Sequence, residues 1–135
     1  MPDAGTQTVR VVAIRRGKLR VAEFALREEE TGLSMFVCET EEDVRLAVSA
    51  VRAAGKIGHL AAAALTQQDI SALELELIPV PGATPDERVN KLHVEARLSR
   101  SAAETARRLG QQPWDFFNQQ LAGALHARAR LIYEG

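Results

Sequence analysis

The sequence predicts an α+β domain: a small antiparallel or mixed sheet of about four to five strands, helices on one face, and a C-terminal helical pair. Three observations carry that expectation. The first third is rich in β-branched residues and interrupted by turn signals. Residues 41–54 form an amphipathic repeat with signals at both ends. Residues 99–135 hold two further helical patterns. The chain has 135 residues, 46% hydrophobic and 26% charged. That length suits one domain with its own core, and the composition is that of a globular chain.

Residues 1–7, with Pro2, Asp3 and Gly5, have little to bury and are expected to fray. "TVRVVAIRRGKLRVAEFAL" then predicts strands at about 8–15 and 19–27, turning at Gly17. "REEETG" is a polar turn, and "LSMFVC" a third short strand. The next element is the best specified. Thr40 is the expected N-cap of a helix over 41–54, and Glu41, Glu42 and Asp43 complement its dipole. Val44, Ala47, Val48 and Val51 form its apolar stripe, and Gly55 ends it.

"IGHLAAAAL", residues 57–65, fits a helix or a buried strand equally. Thr66 and Asp69 have capping-box spacing for a helix from 67. Alternating Leu73, Leu75 and Leu77 predict a strand to about Pro79. "PGATPDERVN" is a surface loop, followed by a strand over about 91–98. Ser101 and Glu104 have capping-box spacing for a helix ending at Gly110. Pro113 opens a last helix with Trp114, Phe117, Leu121 and Leu125 on one stripe. Its end is placed in "HARARLIYEG", where Arg128 and Arg130 suit the dipole.

The longest near-apolar run, nine residues, spans about 14 Å as helix, half a bilayer core. The first ten residues lack the apolar core of a signal peptide. A soluble cytoplasmic protein with no membrane partner is the expectation. One cysteine, Cys38, excludes an intrachain disulfide and four-cysteine zinc sites. His59, His93 and His126 are too scattered for a metal site by spacing, so neither metal nor cofactor is expected. "GKIGH" is not a phosphate loop, since position 50 is Ala and no Ser or Thr follows Lys56.

Three groups of residues carry chemistry worth testing. In "NKLHVEARLSR", Lys91, His93, Glu95 and Arg97 alternate with Leu92, Val94, Ala96 and Leu98. On one strand face, His93 or Glu95 would move a proton, and Lys91 or Arg97 would stabilise phosphate charge, as a nuclease requires. A solvated sheet face gives the same pattern. "SAAETARRLGQQPWDFF" carries half of a helix-turn-helix signature. Its second half departs: Gln111 and Gln119 replace apolar residues, and no cation precedes Arg128.

The charge distribution supplies the third group. Net charge is −1, so no global pull toward nucleic acid follows. Yet residues 10–27 hold Arg10, Arg15, Arg16, Lys18, Arg20 and Arg27 against Glu23, whereas residues 28–43 hold seven acids and no base. The tip residues Arg15, Arg16 and Lys18 form a basic patch for an acidic partner or RNA. The reading drawn from all this is a small interaction module without catalytic activity. It acts as an accessory subunit or a homodimer, with Trp114, Phe117 and the basic tip as partner-binding residues. A nuclease-like enzyme and a DNA-binding regulator are the alternatives.

Overall fold

The computed structural model describes residues 6–82 and 84–135. Their centre is a six-stranded, wholly antiparallel sheet, one or two strands more than expected. The strands are β1 (Gln7–Ile14), β2 (Leu33–Cys38), β3 (His59–Leu65), β4 (Leu75–Pro79), β5 (His93–Leu98) and β6 (Arg130–Glu134). Their order is β4-β5-β2-β1-β3-β6. Val9 lies opposite Phe36 on one side and Ala64 on the other, which fixes the central register. The frayed end expected for residues 1–7 falls largely on residues 1–5, outside the described residues; Gln7 already opens β1.

Helices cover both faces of the sheet, not one. The run Val11, Val12, Ala13, Ile14 shows why: β1 alternates between two apolar clusters. Val9 and Val11 face Val44, Ala47 and Val48 of α1 (Glu41–Ala53) and Phe36. Val12 and Ile14 face Phe24, Phe117 and Leu125. The second cluster also takes Ile70 of α2 (Gln67–Ala72). α3 (Glu87–Asn90) adds Val89 to the first.

Local signals were reliable where cap and stripe agreed. Thr40 Oγ1 accepts the Asp43 N–H at 3.0 Å, and the Asp43 carboxylate accepts from Thr40 N–H in return. Thr66 and Asp69 make the same reciprocal pair. Val48 is buried in the α1 interface, so Val48→Ala is expected to lower stability by about 1–3 kcal/mol in denaturant titration, from lost burial and a small cavity. An unchanged midpoint would take α1 out of the core.

Residues 19–27 and 130–134 differ from expectation, the expected loop over 81–90 contains the helical turn Glu87–Asn90, and the open segment 57–65 is settled. Residues 19–27 are not a second hairpin strand. Only an Arg15↔Lys18 bridge extends the turn, and Val21–Phe24 is a single 3₁₀ turn that drops Phe24 into the core. Residues 59–65 are strand despite the helix propensity of alanine. β3 lies between β1 and β6, and Ala61–Ala64 are buried on both faces. There tertiary pairing outweighs propensity. Residues 130–134 are strand rather than helix end, with a bulge at Ile132 that shifts the register between Ala62 and Ala63. β6 satisfies the outer edge of β3, whose backbone groups would otherwise lack partners.

The C-terminal helical pair is present: α4 (Arg100–Arg108), then α5 (Pro113–Phe117), a π-helical turn (Asn118–Ala122) and α6 (Gly123–Arg128). The cap of α4 is Ser99, whose hydroxyl accepts the Ala102 N–H at 3.1 Å, not Ser101. No helix of the described residues is long and apolar enough to cross a membrane.

Candidate functional site

The alternating row divides on folding. Lys91 is not on β5 at all; it ends α3 in helical conformation and points to solvent. His93, Glu95 and Arg97 do share a face, but it is not an open one at His93, which is only 4% exposed. The ring meets Phe36, its cross-strand neighbour, edge-on at a centroid distance of 5.2 Å. Its Nδ1 lies 2.5 Å from the Val80 carbonyl, which only accepts, so Nδ1 carries the proton. Nε2 pairs with the Ser34 hydroxyl, also at 2.5 Å. Both ring nitrogens are therefore engaged by protein.

Glu95 and Arg97 spend their charges on each other. Arg97 donates to Glu95 Oε1 at 2.9–3.0 Å, and Thr31 Oγ1 donates to the same oxygen at 3.3 Å. The chain at Gly32 presses on this pair so closely that a Cβ there would lie 2.7 Å from Arg97 Cγ. The row thus offers a satisfied histidine and a closed ion pair. Among the described residues, the acid, base and cation of this row do not converge on open space.

Two concavities lie elsewhere. A groove of about 540 Å³ runs between the start of α1 and β6, past Gln7, Thr40, Val44 and Tyr133. A second sits between α4 and α5 at Arg107, Gly110 and Pro113. Neither is lined by the row. Cys38 borders the groove but is 1% exposed, and burial, reinforced by Asp43, pushes its thiol up to about 12. It remains a protonated thiol at neutral pH, not a nucleophile. Among the described residues no three His, Cys, Asp or Glu side chains gather as a metal site would require.

The C-terminal aromatics turn inward. Phe117 is fully buried and Trp114 packs on the same cluster, so Phe117 is not available to a partner. The second helix of the helix-turn-helix pattern therefore buries its aromatic face on the sheet. Its Gln119 bonds Gln111 and Asp115, and Arg128 reaches Asp69 at 3.4 Å.

One polar cluster escaped the sequence reading. Beyond Val9, β1 parts from β2, and side chains replace the missing strand. Glu23 Oε1 accepts the Ala13 N–H at 2.9 Å and Lys56 Nζ at 3.0 Å; Lys56 Nζ also donates to the Val11 carbonyl at 3.2 Å. Arg10 donates to the carbonyls of Glu23 and Ser34, both at 2.9 Å, bridging the gap. Burial raises the Glu23 carboxyl, but the Ala13 N–H and the Lys56 ammonium outweigh it and hold it below its ordinary value. Burial first, then Arg10, push Lys56 down against the pull of Glu23. The available signal was Glu23 itself, the lone acid in a basic stretch. The cluster supplies ladder hydrogen bonds, and its function is structural.

The hairpin tip has the opposite character. Arg15, Arg16, Gly17 and Lys18 are all exposed. Arg15 and Lys18 pair through backbone bonds of 3.1 and 3.0 Å. Arg16 (φ 55°) and Gly17 (φ 73°) form the two-residue turn between them. Among the described residues Arg15, Arg16 and Lys18 make no ion pair, whereas Arg20 approaches Glu23 at 3.7 Å. No protein-family model, curated protein or solved structure matches the chain.

Proposed function

We propose that the chain is a small protein-interaction module without catalytic activity, an accessory subunit whose contact surface is the hairpin tip formed by Arg15, Arg16 and Lys18. The observation that carries this reading is the backbone of Arg16. Both central positions of such a turn need φ > 0, where Asn, Asp and Gly are favoured. Placing a side chain as large as arginine in the left-handed region costs about 1–2 kcal/mol. That cost puts a cation at the apex of a rigid two-residue turn, flanked by two more and neutralised by none. Local strain kept at an exposed charged position is the pattern of a contact site.

The aromatic C-terminal helix gives no such support, because its stripe is already spent on the sheet. The test is binding of fluorescent poly-glutamate at low and high salt, beside total RNA and duplex DNA. Salt-sensitive binding of poly-glutamate is expected, lost when Arg15, Arg16 and Lys18 become Ala, Asn and Ala together. RNA or DNA cleavage abolished by His93→Ala would replace this reading with the nuclease one. A preference for RNA over poly-glutamate would replace it with nucleic-acid binding.

A further inference from the structure

We infer that the basic tip is one half of a composite surface completed by Ile57 and Val21, and that it takes an acidic protein segment carrying apolar side chains. This rests on the reading of the tip given above and adds the chemistry of the partner.

Ile57 is 86% exposed, the most exposed of the large apolar residues described, and Val21 is 45% exposed; the other two, Leu109 and Ile132, lie in the loop after α4 and in β6. Both lie beside the tip. Ile14, which leads into it, is the Cα partner of His59, so the loop entering β3 runs next to the residues that enter the turn. A Cβ on Gly58 would lie 3.7 Å from that of Ala13. Val21 opens the 3₁₀ turn three residues after Lys18. The Lys56–Glu23 ion pair of 3.0 Å ties the loop of Ile57 to the turn of Val21.

That tie also explains why Ile57 stays out. Lys56 is held inward at the Val11 carbonyl, and Gly58 takes φ 105° before the strand begins, leaving Ile57 as the outward residue between two anchored neighbours. The only acid within this set, Glu23, is already shared by Ala13, Lys56 and Arg20. The acids next in sequence belong to the turn before β2, where the Glu30 carboxylate accepts the Arg27 N–H. The surface therefore presents three cations that make no ion pair among the described residues, beside two exposed apolar side chains. A partner that matches it supplies carboxylates for the first and an apolar residue for the second. Nucleic acid would satisfy the cations and leave Ile57 in water.

Two peptides of equal length and charge decide it, one alternating Glu with Leu, the other Glu with Ser. The leucine peptide is expected to bind about tenfold more tightly, the equivalent of one well-buried apolar contact. Ile57→Ser should remove that advantage and leave the serine peptide unaffected; both residues are exposed, so the fold is not at stake. Equal binding of the two peptides overturns the composite surface while the tip remains an acidic-partner site. An advantage for leucine that survives both Ile57→Ser and Val21→Ser overturns it as well. If neither peptide binds, the underlying reading of the tip fails with it. RNA of equal charge binding more tightly than the leucine peptide assigns the surface to a phosphate backbone instead.

Discussion

Phe117→Ala is expected to reduce unfolding free energy by about 3–5 kcal/mol, measured by urea titration. Phe117 is fully buried in the cluster that also holds Val12, Phe24, Ala61 and Leu125. The neighbourhood has little freedom to collapse into the space left. Asn118, the next residue, is fixed by its amide: Oδ1 accepts the Leu26 N–H at 2.6 Å and Nδ2 donates to the Leu26 carbonyl at 2.9 Å. The π-helical turn starts there and carries the stripe onward to Leu125. Deleting residues 111–135 should be worse than the point change, because β6 leaves with the helix and bares the Ala61–Ala64 edge. An insoluble or unfolded product is expected. A truncated chain as stable as the parent, or a Phe117→Ala variant within about 1 kcal/mol of it, would mean that the C-terminal region is not part of this core.

The elements that the sequence made legible are those specified twice over. α1 has a stripe, a reciprocal cap and Gly55 at its end; α2 has its cap pair; Pro113 opens α5 as its fixed φ allows. The segments misread or left open are those whose state is set by a distant partner. Ala61–Ala64 suit a helix until β1 and β6 claim their backbone on both sides. Leu131 packs toward one apolar cluster and Tyr133 toward the other, because the bulge at Ile132 breaks the two-residue period over a strand of five residues.

The surroundings of the candidate row were hidden from the sequence for a related reason. Alternation does tell which side chains of β5 share a face, and His93, Glu95 and Arg97 do. It cannot tell what lies over that face. Phe36, Ser34 and Val80 enclose His93 from positions 57, 59 and 13 residues away. The basic tip was readable because a two-residue turn is local. Only the left-handed Arg16 and the exposure of Ile57 needed the fold.

Acidification should destabilise the protein through Glu23, and Glu23→Gln should blunt the effect. Glutamine keeps a carbonyl oxygen for the Ala13 N–H but leaves the Lys56 ammonium without a counter-charge. With the Glu23 and Lys56 side chains 14% and 28% exposed, the expected loss at neutral pH is about 1–3 kcal/mol. The sign follows from linkage. The folded-state carboxyl lies below its ordinary value of about 4.3, so the unfolded chain binds the proton more readily. The contribution is complete above the unfolded value and disappears as pH falls through the folded one. Wild type and Glu23→Gln should therefore converge in acid and separate toward neutrality. Asp69, held low mainly by the Thr66 N–H, and Asp86, held low mainly by Arg88, add acid sensitivity to both proteins and cancel in the difference. Lys56→Met is the complementary variant: it retains the Ala13 bond to Glu23, removes the ammonium, and should raise the Glu23 carboxyl so that acid sensitivity begins at higher pH. Urea midpoints that fall in parallel for wild type and Glu23→Gln would show that the gap between β1 and β2 is not closed by this charge.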